Sequence, residues 1–400
     1  MSGAKNSVLK LQTASLLTGE PVRIRNYPAT LLDAQVHVGM LEALGKRCAV
    51  DGDELTVTEP ASLKSDLSWE GRSIRNTLLI LGALTARTGR ADVPAPGGCK
   101  LGERGCDLHE LVLRRLGAEV SQEGDRLLAK TAGRLTGADI HLPLRSTGAT
   151  ENAMLCASLA DGVTRIWGPH IRPEIIDLAG FLNKMGARIR IFGQEHIEVT
   201  GVERLSGTLH TVIPDNMEAL TWLIASVVTD GDVEIVNFPT EHVEVPLIFL
   251  RESGARFYAS DHRLIARGGT CYPVDISTGP FPGINSDMQP LFATYAARAV
   301  GLSKIVDLRF PGRYAYAPEM AKMGLVSSLE GNLLQIHGNG RLEGATVRAV
   351  DLRAGVALTL AGLFAEGETT VTDAWQVERG YDRFVDKMTR LGGRIERRCD

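Results

Sequence analysis

No apolar run in this sequence approaches the roughly 20 residues that cross a bilayer as a helix, so no membrane span is expected. The start, MSGAKNSVLK, lacks the apolar core of a signal peptide, which argues against secretion. Six cysteines (Cys48, Cys99, Cys106, Cys156, Cys271 and Cys399) are scattered over 400 residues, and none forms a CxxC pair. Neither a zinc site nor a disulfide framework is indicated, and a cytoplasmic protein with free thiols is the expectation. Nor is there a large excess of one charge. A formal net charge of -4 gives no whole-chain attraction to nucleic acid or anionic membrane, while permitting a local basic pocket. What remains is 44% hydrophobic and 23% charged, the composition of an ordinary globular protein with length for two or three domains.

Two phrases recur along the chain. A short turn leads into an alternating strand as TGEPVRI at Gly19, TGRADVP at Gly89, DGVTRIW at Gly162, DGDVEIV at Gly231, VGLSKIV at Gly301 and EGETTVT at Gly367. A helix end with a glycine, followed by another strand, appears at Gly45, Gly117, Gly186, Gly254, Gly324 and Gly392. Both phrases step by roughly 70 residues, which is an internal repeat. Each unit reads as an apolar helix such as 76–87, a strand, an amphipathic helix such as 108–116 ending at glycine, and closing strands such as 188–200. The fold class is therefore α/β, built from six units. Two domains of three units follow, 4–211 and 212–400, with a cleft between similar halves as the default ligand site.

Several polar residues break these patterns. Lys5 and Asn6 precede the apolar helix 7–17, and a lysine near a helix N-terminus is unfavourable unless an anion binds there. Arg75 stands before the next apolar helix, and Arg145, Ser146, Thr147 and Gly148 precede helix 149–159. Asp287 lies ahead of another, Arg313 sits in FPGRYAYAPE, Asp351 and Arg353 form VDLRAG, and Arg379 is in VERGYDR. Singly, each reads first as a solvated charge or a helix cap and not as a binding residue. In a closed repeat fold, equivalent positions near helix starts can face one cleft, and several arginines with a lysine there suit a multiply charged anion. The stretch 94–109, PAPGGCKLGERGCDLH, reads as a loop on its prolines and glycines, and it carries Cys99 just ahead of two cations, Lys100 and Arg104. A thiol beside cations has its thiolate favoured and can serve as acid or nucleophile; the alternative is an incidental surface cysteine.

Together SGAKN, PGGCxxGxRxxDLH, STGATENAM, RPEIIDLAGFL, SDMQ, GRY, VDLRAG and VERGYDRFxDKMxxLGG run end to end along the chain. On these motifs it resembles the enolpyruvyl transferases, and within them the branch acting on UDP-N-acetylglucosamine at the start of peptidoglycan synthesis. The resemblance implies two inside-out α/β barrels of three units each. It implies transfer of the carboxyvinyl group of phosphoenolpyruvate to an acceptor hydroxyl with loss of phosphate, and no metal or organic cofactor. By the same resemblance Lys5, Arg75, Arg104, Arg353 and Arg379 would hold phosphoenolpyruvate, with Lys5 and Arg379 also acting in catalysis. Cys99 would act in proton transfer, bond covalently to phosphoenolpyruvate and be the thiol alkylated by fosfomycin. Asp287 would take the proton of the attacking hydroxyl, and Arg313 and Asp351 would orient acceptor and intermediate. Asn6, Arg104, Asp107, Leu108, Arg145, Ser146, Gly148 and Arg309 would line the acceptor nucleotide. The partners implied are small molecules, with no nucleic acid and no membrane.

Departures from the family pattern cluster on the acceptor side. Arg-Pro-Val-Asp-Leu becomes Arg104-Gly105-Cys106-Asp107-Leu108, a usual lysine is Arg145, and the threonine before the aspartate is Ser286. Phe-Glu-Asn-Arg-Phe becomes Phe310-Pro311-Gly312-Arg313-Tyr314, preceded by Arg309, and an acidic position before PEIID is Arg172. These changes open a second acceptor, the 3′-hydroxyl of UMP, used by related enzymes of peptidyl-nucleoside pathways. Shikimate-3-phosphate fits less well, because the family using it lacks the cysteine loop. A catalytically silent, nucleotide-binding paralogue is the non-enzymatic reading, and it would release no phosphate. Family members also carry nearly 20 residues before SGAKN that complete the second domain with a strand; either the start is misassigned here, or that domain is expected to close with one strand missing and an unpaired edge.

Overall fold

Three helices in each half of the chain are buried on every side, and the rest of the architecture is arranged around them. A computed structural model describes residues 1–96 and 105–398. It divides into two compact units, Gly3–Ile213 and Met1–Ser2 with Pro214–Asp400. In the first unit the buried helices are Lys5–Ala14, Thr77–Thr88 and Thr147–Ala157; in the second they are Asn216–Val228, Gln289–Arg298 and Leu352–Phe364. All thirteen residues of Asn216–Val228 are buried, so this helix has no polar face to turn outward and must be internal. The second helix of each repeat, such as Asp107–Arg115 or Pro173–Lys184, is amphipathic and lies partly in solvent. Sheets with one buried and one exposed face cover the outside, as in Val22–Arg25 and Val163–Trp167. Helices within and sheets without give the inside-out α/β architecture.

The repeat is visible in the backbone. Gly45, Gly117, Gly186, Gly254, Gly324 and Gly392 all adopt positive φ, between 86° and 101°, immediately after the second helix of each unit. This left-handed C-terminal turn is nearly free for glycine and costly for other residues, which is why the same residue recurs six times. Strands follow the first five, beginning at Arg47, Glu119, Arg188, Arg256 and Val326. The sixth differs: no strand follows Gly392 among the described residues, and Arg397 and Arg398 instead pair with Glu378 and Glu368. The helix expected at 7–17 starts earlier, at Lys5, and tightens into a 3-10 turn over Ser15–Leu17.

Each unit has its own core. The first is closed by its last strand, Thr208–Thr211, which runs parallel to Val22–Arg25 with Ile24 opposite His210. In the second unit Val233–Val236 pairs only with Arg263–Arg267 among the described strands, while the Met1 amine donates to Val236 O at 3.2 Å. No helix of the described residues is long and apolar enough to cross a membrane.

Candidate functional site

Within Gly3–Ile213, the polar residues singled out from the sequence gather at helix starts. Lys5 is the first residue of its helix, where a cation opposes the helix dipole, and its Nζ lies 2.9 Å from the buried carboxylate of Asp33. The counter-charge is thus a protein carboxylate on the helix Leu32–Ala43. Asn6 is half-buried beside it. Arg75 precedes Asn76, the cap residue of Thr77–Thr88, and its Nη2 donates to Gly105 O at 2.9 Å. Asp107 opens Asp107–Arg115, where its charge suits the helix N-terminus, and Leu108 packs half-buried on the core. Ser146 caps Thr147–Ala157, its Oγ 3.4 Å from Ala149 N. Arg145 is exposed and donates to Gln194 Oε1 at 3.3 Å. Gly148 is glycine for a local reason, since a Cβ there would stand 3.1 Å from Nε2 of His109. Cys99 and Arg104 lie outside the described residues.

Sequence reasoning missed Lys10 and Glu151 beneath these helix starts and named Arg172 only as a departure from the family pattern. Lys10 reaches Asn76 Oδ1 at 3.1 Å and Glu151 at 3.7 Å, and Arg172 makes a two-point contact with the buried Glu174 at 2.7 and 2.9 Å. Burial pushes the Glu151 carboxyl up to about 7 against the pull of Lys10, with Glu174 adding to the rise. His109 is buried, its Nδ1 has no partner among the described residues, and burial with Arg75 and Lys10 nearby lowers it to about 3. The available signal was a lysine or glutamate inside an otherwise apolar helix.

Within Pro214–Asp400, Asp287 is held between two arginines. Its Oδ1 is 2.7 Å from Nη1 of Arg313, and its Oδ2 is 3.3 Å from Nη2 of Arg353. The carboxylate side chain is 34% exposed, while those of the arginines are 7% and 4% exposed. Burial alone would lower both guanidinium pKa values, but the Asp287 carboxylate overrides it and both are raised, so both arginines stay charged. The Nε of each is buried without a hydrogen-bond partner among the described residues. Arg353 Nη1 also approaches the buried Tyr381 hydroxyl at 3.5 Å, and that hydroxyl lies 2.8 Å from Thr221 Oγ1.

Asp351 caps the helix Leu352–Phe364, accepting from Arg353 N at 2.7 Å and Ala354 N at 2.9 Å. Its carboxylate therefore orients the backbone that carries Arg353, besides adding negative potential at Arg313. Arg379 is half-buried at the end of Trp375–Glu378 and donates to Gln376 Oε1 at 3.1 Å. Arg309 is exposed, with its guanidinium 5.4 Å from the centre of the Phe310 ring. The structure thus brings Asp287, Arg313, Arg353 and Asp351 together in one unit, and leaves Arg309 at the surface. A carboxylate open to solvent between fixed cations can accept a hydroxyl proton, and buried guanidinium N–H groups can hold an anion. Among the described residues no group of three His, Cys, Asp or Glu side chains could hold a metal ion.

Residues 1–388 match the family model described as EPSP synthase (3-phosphoshikimate 1-carboxyvinyltransferase). The chain is 40% identical to UDP-N-acetylglucosamine 1-carboxyvinyltransferase 2 of Carboxydothermus hydrogenoformans, over all of this chain and 96% of that protein. It is also 40% identical to UDP-N-acetylglucosamine 1-carboxyvinyltransferase of Caulobacter sp. strain K31, over 99% of this chain and 93% of that one. Among solved structures, the enolpyruvyl transferase NikO from Streptomyces tendae superposes with a TM-score of 0.90 at 26% identity, covering 99% of this chain and 94% of NikO. An EPSP synthase from Acinetobacter baumannii shares the fold, with a TM-score of 0.75 at 18% identity over 99% of this chain and 96% of its own.

Proposed function

The chain belongs to the EPSP synthase family of enolpyruvyl transferases, and from that membership we propose that it moves the carboxyvinyl group of phosphoenolpyruvate onto the 3-hydroxyl of UDP-N-acetylglucosamine, releasing phosphate. The observation that carries the reading is the Asp287–Arg313–Arg353 cluster in a chain 40% identical, end to end, to relatives named for this activity. Asp287 takes the proton of the attacking hydroxyl and the new C–O bond forms at C2 of phosphoenolpyruvate as C3 takes up a proton. C3 then gives up a proton as the C2–O bond to phosphate breaks, which restores the vinyl group and releases phosphate. Lys5, Arg75, Arg104, Arg353 and Arg379 hold the phosphate and carboxylate of phosphoenolpyruvate. Concentrated fixed cations stabilise the charge that builds on leaving phosphate. Arg313 and Asp351 orient the acceptor and the charged intermediate, while Asn6, Arg104, Asp107, Leu108, Arg145, Ser146 and Gly148 contact the nucleotide. Cys99 works in proton transfer, so fosfomycin inactivates the wild type and not Cys99→Ser; equal inactivation of both would remove Cys99 from this role.

The product feeds peptidoglycan synthesis under this reading, and the protein is cytoplasmic. A second acceptor, the 3′-hydroxyl of UMP, is favoured by one group of residues: the segment Arg309 to Tyr314, where this chain departs from the UDP-N-acetylglucosamine branch and places an exposed guanidinium. Phosphate release measured side by side with UDP-N-acetylglucosamine and UMP decides between them.

A further inference from the structure

Asp307 is completely buried, yet no lysine or arginine lies within ion-pair distance of its carboxylate among the described residues. Neutral donors satisfy it instead. Oδ1 accepts from Thr278 Oγ1 and from the backbone N–H groups of Arg309 and Phe310, each at 2.9 Å, and Oδ2 accepts from the Ser286 hydroxyl. A carboxylate taken out of water without a counter-cation is costly, so its placement calls for a reason beyond packing.

The reason lies one bond further on. A serine hydroxyl has a single proton, and Ser286 gives it to Asp307, which accepts only. The lone pairs of Ser286 Oγ are then turned to Nη1 of Arg313, 3.1 Å away, and the same Nη1 lies 2.7 Å from Asp287 Oδ1. The backbone of Arg313 is tied by the same segment, its N donating to Phe310 O at 3.1 Å and its O accepting from Gln289 Nε2 at 3.1 Å. Donation in the chain Asp307–Ser286–Arg313–Asp287 therefore starts at Arg313 and runs outward, through Ser286 to Asp307 on one side and to Asp287 on the other.

We propose that Asp307 and Ser286 are positioning residues that aim Arg313 at Asp287 and so set the geometry of the proton-accepting carboxylate, an inference that rests on the enolpyruvyl-transfer reading. Asp307→Asn puts an N–H donor where Ser286 now donates. Ser286 must then turn its proton toward Arg313, itself only a donor, and Arg313 is driven off Asp287. Ser286→Ala removes the link without reversing it, and Ser286→Thr keeps it.

The test is steady-state phosphate release from phosphoenolpyruvate over a pH series for wild type, Ser286→Ala, Ser286→Thr and Asp307→Asn, with amide and guanidinium NMR of Arg313 on the same proteins. Ser286→Ala should lower kcat about 10- to 100-fold with KM for phosphoenolpyruvate within about threefold, since misplacing a reacting group costs rate more than binding. Its acidic limb should move, because Arg313 holds Asp287 less firmly while Arg353 and Asp351 are unchanged, and Ser286→Thr should restore both rate and limb. Wild-type kcat and an unmoved acidic limb in Ser286→Ala, or a loss that Ser286→Thr fails to restore, overturns the proposal. If the wild type itself releases no phosphate, the transferase reading fails, and the Arg313 guanidinium spectrum still decides the relay: a shift in Ser286→Ala supports it and an unchanged spectrum sinks it.

Discussion

Asp287 is the counter-charge of two buried arginines, and under the proposed function it is also the proton acceptor. Asp287→Asn removes the charge at constant shape. It should lower phosphate release by at least about 100-fold, as expected for loss of a general base. It should also destabilise the protein by about 1–3 kcal/mol, less than for a fully buried pair because Asp287 is partly solvated. Unchanged turnover with an unchanged melting curve would contradict both roles. At this scale much of the candidate site was legible: Asp287, Arg313, Asp351 and Arg353 stood out because charged residues ahead of apolar helices break the pattern, and the structure puts them in contact. Asp307 was not legible, because an aspartate at a strand end reads as an ordinary turn residue, and only the fold shows that it is buried on Ser286. Lys10 and Glu151 were hidden for a similar reason, since a single charge in an apolar helix reads as solvated until its neighbour is known.

The inner helices approach one another closely. A Cβ on Gly82 would fall 2.0 Å from Asn152 Oδ1 and 2.8 Å from Cys156 Sγ on the facing helix Thr147–Ala157. Gly180, in the partly solvated helix Pro173–Lys184, has nothing within 4 Å of its Cβ position. Alanine has the better helix propensity at both positions. Gly180→Ala should therefore stabilise by roughly 0.5–1 kcal/mol, while Gly82→Ala should destabilise by about 1–3 kcal/mol through overpacking. Denaturant unfolding of the two variants checks this, and like-signed shifts would show that helix–helix spacing is not set by Gly82. The six-unit repeat was readable at this scale because each unit needs a left-handed glycine in the same place. The strand after Gly392 was misread because sequence alternation reports a pattern of side chains and not a pairing partner.

The unit Gly3–Ile213 as a whole carries buried titratable groups that couple its stability to pH. Burial, with Lys10 adding, lowers His37 to about 3, as burial with Arg75 and Lys10 does for His109. The unfolded chain takes up protons at both below about pH 6.5 while the folded chain does not, so each costs stability as pH falls, about 1.4 kcal/mol per pH unit. Glu151 runs the other way: raised to about 7, it keeps in the folded state a proton that the unfolded chain loses above about pH 4.5, so it adds stability as pH falls from 7 to 4.5. Between pH 6.5 and 4.5 two histidines oppose one glutamate, and these three groups together should lose about 1.4 kcal/mol per unit. In Glu151→Gln the opposing contribution is gone and the loss should double; an unchanged slope would mean that Glu151 does not hold its proton in the fold.

Both units repeat one plan, and the family to which the chain belongs ties that plan to carboxyvinyl transfer. The acceptor is the point on which sequence alone was divided, because the family resemblance implies that the segment from Arg309 to Tyr314, where this chain departs, lies on the acceptor side. The most direct test of the central claim is phosphate release from phosphoenolpyruvate by the purified chain, with UDP-N-acetylglucosamine and with UMP as separate acceptors. Acceptor-dependent release with UDP-N-acetylglucosamine and not with UMP is the predicted result; release with UMP alone would contradict the acceptor assignment, and release with neither would contradict the transferase reading itself.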